Sequence, residues 1–287
     1  MRPASLVLCL IGTHAWAGEL TVDVLDVGQG DAILIRGGGK SVLIDAGDRD
    51  ASTVEQLTAL DVHRLDLVVA THPHADHIGR MPDVLAAFEV GLYLDSGLPH
   101  DTQTYRDTMA AVEQRHIPYR TASAGTHLNL GDEAVFTVLF PSGTALTGTR
   151  SDLNSNSVVL RLDHGQNSFL FTGDAEEPTE RELMRGGLEP VDVLKVAHHG
   201  SEHSSTPSFL DAVHPRYALV SVGSGNRYGH PDAACLQRLA DAHAMVYRTD
   251  LSGDLRVLSD GVDLEVVEGT LAELEQVRVV PHREGRR

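Results

Sequence analysis

The chain has 287 residues, of which 41% are hydrophobic and 22% charged. That composition excludes a disordered tail, a collagenous repeat and a multi-span membrane protein. Forty-one acidic against 23 basic residues give a formal charge of −18, which repels a phosphate backbone at long range and argues against a dedicated nucleic-acid-binding module.

Residues 1–17 read as a leader: Arg2, an apolar run 6–11, and the small-x-small site Ala15-Trp16-Ala17 before Gly18. The run is too short to span a bilayer, which takes about 20 residues. Cleavage after Ala17 removes Arg2 alone among the charges and leaves −19, with Cys235 as the one remaining cysteine. A lone cysteine makes no internal disulfide, so packing and bound metal must hold a protein expected to be secreted or periplasmic. From 18 onward a single domain is expected, with the Arg-rich tail after about residue 280 disordered.

Strand patterns at 19–25, 32–36 and 41–44 are separated by Gly-rich turns. A helix capped by Ser52 reaches 60, a strand covers 66–71, a helix 79–88 and a strand 90–94. Asp101 is placed as the cap of a helix ending near 116. Strands follow at 126–130, 134–140, 157–162 and 168–172. Helices at 178–185, 207–213 and 232–242 then alternate with strands at 191–197, 217–222 and 244–248, before strands at 254–258 and 262–267. Strand-rich and helix-alternating stretches occur twice without a polar linker, which implies an α/β fold of two packed sheets with helices outside, a four-layer α/β/β/α sandwich.

Sixteen histidines make about 6% of the chain, and the densest cluster is Thr71-His72-Pro73-His74-Ala75-Asp76-His77, directly after an apolar strand. In extended chain, residues i and i+2 share a side, so His72 and His74 can grip one ion. Asp76 and His77 open the next helix and can face a second ion. Imidazole with carboxylate suits zinc, manganese or iron. Other patterns fail: Gly28-Gln29-Gly30 lacks a third glycine and a following helix, Gly39-Lys40-Ser41 sits in a hairpin, and no G-x-S-x-G elbow is present.

The H-x-H-x-D-H run resembles the metallo-β-lactamase superfamily. Segments 25–31 and 43–47 are similar to its N-terminal sheet, and Phe171-Thr172-Gly173-Asp174 to the strand that delivers a metal-bridging aspartate. Segments 193–201 and 226–231 narrow the likeness to the soluble hydrolase domain of ComEC competence proteins. The resemblance implies that His72 and His74 hold a first metal, Asp76 and His77 a second, and that Asp174 bridges them. Two divalent ions are implied, zinc first and manganese second. The third histidine of the first site is missing; the region reads Asp152-Leu153-Asn154-Ser155-Asn156-Ser157, so Asn154, Asn156 or water is expected there. His198 is expected on the second ion, with His199 or His230 protonating the leaving group and Ser201, Ser204 and Ser205 shaping the loop or binding substrate. Arg36, Arg49 and Arg227 are candidates for an anionic substrate, though each also fits a surface role.

The function implied is a secreted metal-dependent hydrolase, first a phosphodiesterase or nuclease attacking phosphorus with a metal-bound hydroxide, with Asp76, His199 and His230 as its catalytic residues. Its substrate would be a small or flexible phosphate ester, with DNA as one candidate, and no obligate protein partner is expected. The competing readings are an ester, lactone or β-lactam hydrolase of the same fold, and an inactive metal-binding protein.

Overall fold

The computed structural model describes residues 18–131 and 134–277. The expected leader and the expected tail after 280 lie outside the described residues. Two large sheets form the centre. The first runs, edge to edge, through strands Leu264–Gly269, Asp254–Ser259, Leu20–Val24, Ile33–Gly37, Lys40–Ile44, Leu67–Ala70, Tyr93–Asp95 and Tyr119–Thr121. The second runs through Met245–Arg248, Tyr217–Val220, Val193–Lys195, Asn167–Phe171, Val159–His164, Ala134–Phe140 and His127–Asn129.

Alternation along each strand sorts side chains into layers. Ile33 and Ile35 meet Phe136, Leu160, Leu162 and Phe169 between the sheets. Leu34, one residue along, faces the opposite way onto Leu57, Val84 and Leu85 of the helices. In the second sheet Val193 points inward, and Leu194 packs outward against Phe209, Leu210 and Leu239. Both faces of both sheets are therefore covered, which is why the central strands read as unbroken apolar runs. The expected four-layer sandwich is the observed architecture.

Details differ from the pattern reading. Thr102, not Asp101, caps the helix Gln103–Gln114, its hydroxyl accepting from the Tyr105 N–H. The helix expected at 79–88 is observed as Met81–Ala87, and a separate helical turn, Ala75–Ile78, precedes it. The short edge strand Tyr119–Thr121 carries three exposed residues, so its sequence held no burial signal.

Four strand ends open on one rim. Leu67–Ala70 of the first sheet leads into the 71–77 segment, and in the second sheet Asn167–Phe171 leads to Asp174, Val193–Lys195 to His198 and His199, and Tyr217–Val220 to the loop bearing His230. The Val158 N–H donates to the Thr71 carbonyl at 2.9 Å and pins the two sheets together there. Gly30 is required by close approach: at φ +140, a Cβ would lie 2.2 Å from the Asp76 carbonyl oxygen.

Candidate metal centre

Asp174 stands at the middle of the rim, 2% exposed, with its two oxygens facing different histidines. Oδ1 lies 3.2 Å from His77 Nε2 and 3.6 Å from His199 Nε2. Asp76 Oδ2 is 3.5 Å from the same His199 nitrogen. These four residues present ligand atoms all within 4.8 Å of one another. Oδ2 faces His198 Nε2 at 3.6 Å and His72 Nε2 at 3.8 Å, and His72 Nε2 is 3.0 Å from His74 Nδ1. One carboxylate thus divides two groups of donors.

The buried hydrogen bonds turn the imidazole lone pairs into that space. His77 Nδ1–H donates to Asp45 Oδ2 at 2.7 Å, leaving Nε2 as the free acceptor. Thr71 Oγ1 donates to the same Asp45 oxygen at 2.7 Å and so accepts from His72 Nδ1 at 3.1 Å. His199 Nδ1–H donates to the Ser221 carbonyl at 3.0 Å. Asp31 Oδ1 lies 3.4 Å from that nitrogen, and Asp31 Oδ2 accepts from the buried Lys195 ammonium at 2.8 Å. Asp174 Oδ1, His77 Nε2, His199 Nε2 and Asn154 Oδ1 are buried without a hydrogen-bond partner among the described residues. Buried polar atoms seldom go unpaired, and here they converge on one space lined by hard and borderline donors. The residues present fit a pair of divalent ions.

The surrounding carboxylates draw protons onto two of these rings in the metal-free chain, and a bound metal would displace them. Burial opposes a charged His77 ring, yet Asp174 and Asp45 outweigh it and hold His77 well above the usual imidazole range. Burial likewise opposes a charged His199, but Asp174 and Asp31 raise it to about 10. Burial and the neighbouring His77 push His72 well below its usual value, which favours the neutral ring that ligates metal. The carboxylates draw positive charge into the space between them.

The backbone explains how adjacent histidines serve different sides. His198 and His199 sit at φ 51 and 54, and Gly200 at φ 81, a left-handed turn. Such backbone is strained for residues with a Cβ and recurs at functional sites. The two rings diverge by 74° with centroids 6.3 Å apart. His199, rather than His198, therefore joins Asp76 and His77, whereas the sequence reading assigned His198 to that group. His198 instead lies on the His72 side of Asp174, where the sequence lacks a third histidine. Asn154 accompanies it, Nδ2 3.4 Å from His198 Nε2. Asn156 is turned away: its amide accepts from the Leu146 N–H at 2.9 Å and donates to the Leu146 and Asp152 carbonyls at 2.8 and 2.6 Å.

A cleft of 640 Å³ opens over the centre, lined among others by Gln29, Arg150, Ser201, Tyr228 and His230. Ser201 Oγ accepts from the His203 N–H at 3.3 Å. Ser204 is committed to the Ala175 carbonyl at 2.8 Å, and Ser205 is buried; neither lines the cleft. Of the arginines singled out, Arg36 pairs with Asp23 and Glu275 and Arg49 donates to Thr104 Oγ1, so both are occupied elsewhere. The cleft arginine is Arg150, which donates to Glu176 at 2.6 Å. Arg150, Glu176, Asp31, Asp45 and Lys195 were not assigned site roles from sequence, because only the tertiary structure brings them to the histidines.

A profile of the metallo-beta-lactamase superfamily matches residues 25–224. The chain belongs to the metallo-beta-lactamase superfamily. It is 31% identical over 264 residues to ComE operon protein 3 of Bacillus subtilis, covering 84% of this chain and 33% of that protein. It is 34% identical over 242 residues to Recombination protein 2 of Haemophilus influenzae, covering 82% and 28%, and 35% identical over 243 residues to Competence protein ComA of Neisseria gonorrhoeae, covering 83% and 32%. The resemblance to ComEC-family competence proteins is shown by these alignments, and the chain spans about a third of the length of these relatives. The metallo-beta-lactamase fold protein YhfI of Bacillus subtilis shares the fold at TM-score 0.53 and 14% identity, over 80% of this chain and 95% of that one. Among the described residues no helix is long and apolar enough to cross a membrane. Family and donor set together describe a metal-dependent hydrolase centre with places for two divalent ions.

Proposed function

We propose that the protein is a hydrolase of phosphodiester bonds in small or flexible substrates. The observation that carries this reading is Asp174 facing a histidine group with each oxygen, His77 and His199 on one side and His72 and His198 on the other. The ions, when bound, supply a Lewis-acidic pair that lowers the pKa of water and stabilises charge on phosphoryl oxygens. The donor set favours zinc, then manganese.

The chain's own residues do the rest. Asp45 fixes the ring of His77 through Nδ1, and the Ser221 carbonyl fixes that of His199, with Asp31 alongside. Arg150, half exposed and braced by Glu176, reaches the cleft and can bind a non-bridging phosphate oxygen bidentately. His230 lines the same cleft, its ring 5.6 Å from that of His198, and is our candidate to protonate the leaving oxygen. The names of the relatives, competence and recombination proteins, point to DNA, whose backbone is a phosphodiester. The net charge of −18 offers no long cationic track for a duplex, which favours short or flexible strands. Export to the periplasm or medium is proposed on the leader at 1–17, and a mature N-terminus at Gly18 checks it.

The test is a substrate panel for the zinc- or manganese-loaded protein: thymidine 5′-(p-nitrophenyl phosphate), a short single-stranded oligonucleotide, p-nitrophenyl acetate and a chromogenic cephalosporin. Turnover of the phosphodiesters, lost in Asp174→Ala, is expected. Turnover of the ester or cephalosporin with both phosphodiesters intact contradicts the proposal.

A further inference from the structure

Of the large hydrophobic side chains that stand exposed among the described residues, Tyr119, Tyr228, Met245, Leu251 and Val262, only Tyr228 lines the cleft over the metal centre. It is 52% exposed. Isolated exposed apolar residues are ordinary on protein surfaces, so exposure alone decides nothing. The geometry around Tyr228 does.

The loop that carries it is locked. The Asn226 side chain accepts from the backbone N–H groups of Tyr228 and His230, both at 3.1 Å, and donates to the carbonyls of Gly223 at 2.9 Å and His230 at 2.6 Å. One partly buried amide thus uses four bonds to hold the loop, and the tyrosine is presented rather than left loose. Its ring lies nearly parallel to His230, 14° between planes and 6.0 Å between centroids. His230 in turn lies 5.6 Å from His198. The three rings step from the open rim down to the metal-facing histidines. The Arg227 guanidinium lies over the Tyr228 ring, 4.9 Å from its centroid, and donates to the phenolic oxygen at 2.8 Å, so a second planar group would extend this stack.

We infer that Tyr228 is a stacking shelf for a nucleobase of the substrate, with the attached phosphate lying down the step toward Arg150 and the metal centre. An aromatic face beside cationic side chains is the arrangement that binds single-stranded nucleic acid without reading its sequence, because every base has a π-face. The exposed Arg227 guanidinium over the ring supplies charge for a neighbouring phosphate without a basic track across the whole acidic surface. The placement of the phosphate rests on the phosphodiester reading; the stacking itself does not.

The experiment measures binding to the metal-loaded full chain by calorimetry, comparing thymidine 5′-monophosphate with 2-deoxyribose 5-phosphate, which lacks the base. The wild type is expected to prefer the nucleotide by about tenfold. Tyr228→Ala removes that preference and Tyr228→Trp keeps it. Equal affinity for the two ligands in the wild type, or a preference that survives in Tyr228→Ala, overturns the inference. A further gain for a thymidine tetranucleotide over the mononucleotide identifies a strand as the source of the base, and equal affinity identifies a free nucleotide; both retain the shelf. If phosphodiesters are turned over, the ratio of kcat/KM for thymidine 5′-(p-nitrophenyl phosphate) to that for methyl p-nitrophenyl phosphate falls about tenfold in Tyr228→Ala, through KM. Absence of turnover removes the proposed activity but leaves the binding comparison decisive for the shelf.

Discussion

Replacing Asp45 by asparagine separates metal holding from folding. Asp45 is fully buried at φ 58, a conformation that asparagine adopts at least as readily. Its Oδ1 accepts the Thr71 N–H at 2.7 Å, a bond the asparagine carbonyl can keep. Its Oδ2 accepts from both Thr71 Oγ1 and His77 Nδ1, and an NH2 group there can accept from neither. His77 then takes the proton on Nε2, and its lone pair turns from the metal space to the new amide. Partners of this kind are worth about 10–100-fold in metal affinity, or about 1.4–2.7 kcal/mol. Burial also pushes the Asp45 carboxyl above its usual range, so removing the charge relieves desolvation and offsets the lost bonds. The metal-free protein should therefore keep its stability within about 1 kcal/mol. Calorimetric competition against a chelator gives the affinity, and thermal unfolding without metal gives the stability. Unchanged affinity, or affinity and metal-free stability lost in proportion, refutes the reasoning.

Further outcomes follow from the same geometry. His199→Ala and His198→Ala should each lower bound metal from two ions to one per chain by elemental analysis, whereas Asn156→Ala should keep both ions and lose about 1–3 kcal/mol of stability with its bonds to Leu146 and Asp152. Gly30→Ala drives a Cβ to 2.2 Å from the Asp76 carbonyl; it should cost about 2–4 kcal/mol in denaturant unfolding and weaken metal binding together. Asp254 has its carboxyl raised to about 6, chiefly by burial, though the Asp26 N–H it accepts pulls the other way. Because the folded value is raised, the stability it contributes is complete below the ordinary carboxylate pKa of 3.8 and is lost as pH rises through about 6. Asp254→Asn should thus be more stable than wild type by about 1–2 kcal/mol at pH 7.5, after discounting for partial solvation, with the advantage gone near pH 4 in thermal scans.

The parts of this protein legible in its sequence are those whose signal is local. The unbroken apolar runs at 33–35 and 193–194 announce strands covered on both faces, and the 71–77 segment packs four donors into six residues. The division of labour between His198 and His199 is not local: it depends on three successive left-handed residues, a conformation that only Gly200 hints at. Choosing between Asn154 and Asn156 needed the turn that spends the Asn156 amide on Leu146 and Asp152. Asp31 and Lys195 are 164 residues apart in the chain and form the His199 support only once both sheets are assembled. Thr102 displaced Asp101 as a helix cap because either residue type suits that position and only the backbone selects one.

The central claim is that Asp174 stands between two metal ions. Crystals grown with zinc or manganese, measured at the metal absorption edge and matched by solution titration, test it most directly. Two anomalous peaks about 3.5–4 Å apart, one beside His77 and His199 and the other beside His72 and His198, with one Asp174 oxygen toward each and two equivalents bound, is the predicted result. A single ion, or two ions that leave Asp174 uncoordinated, contradicts it.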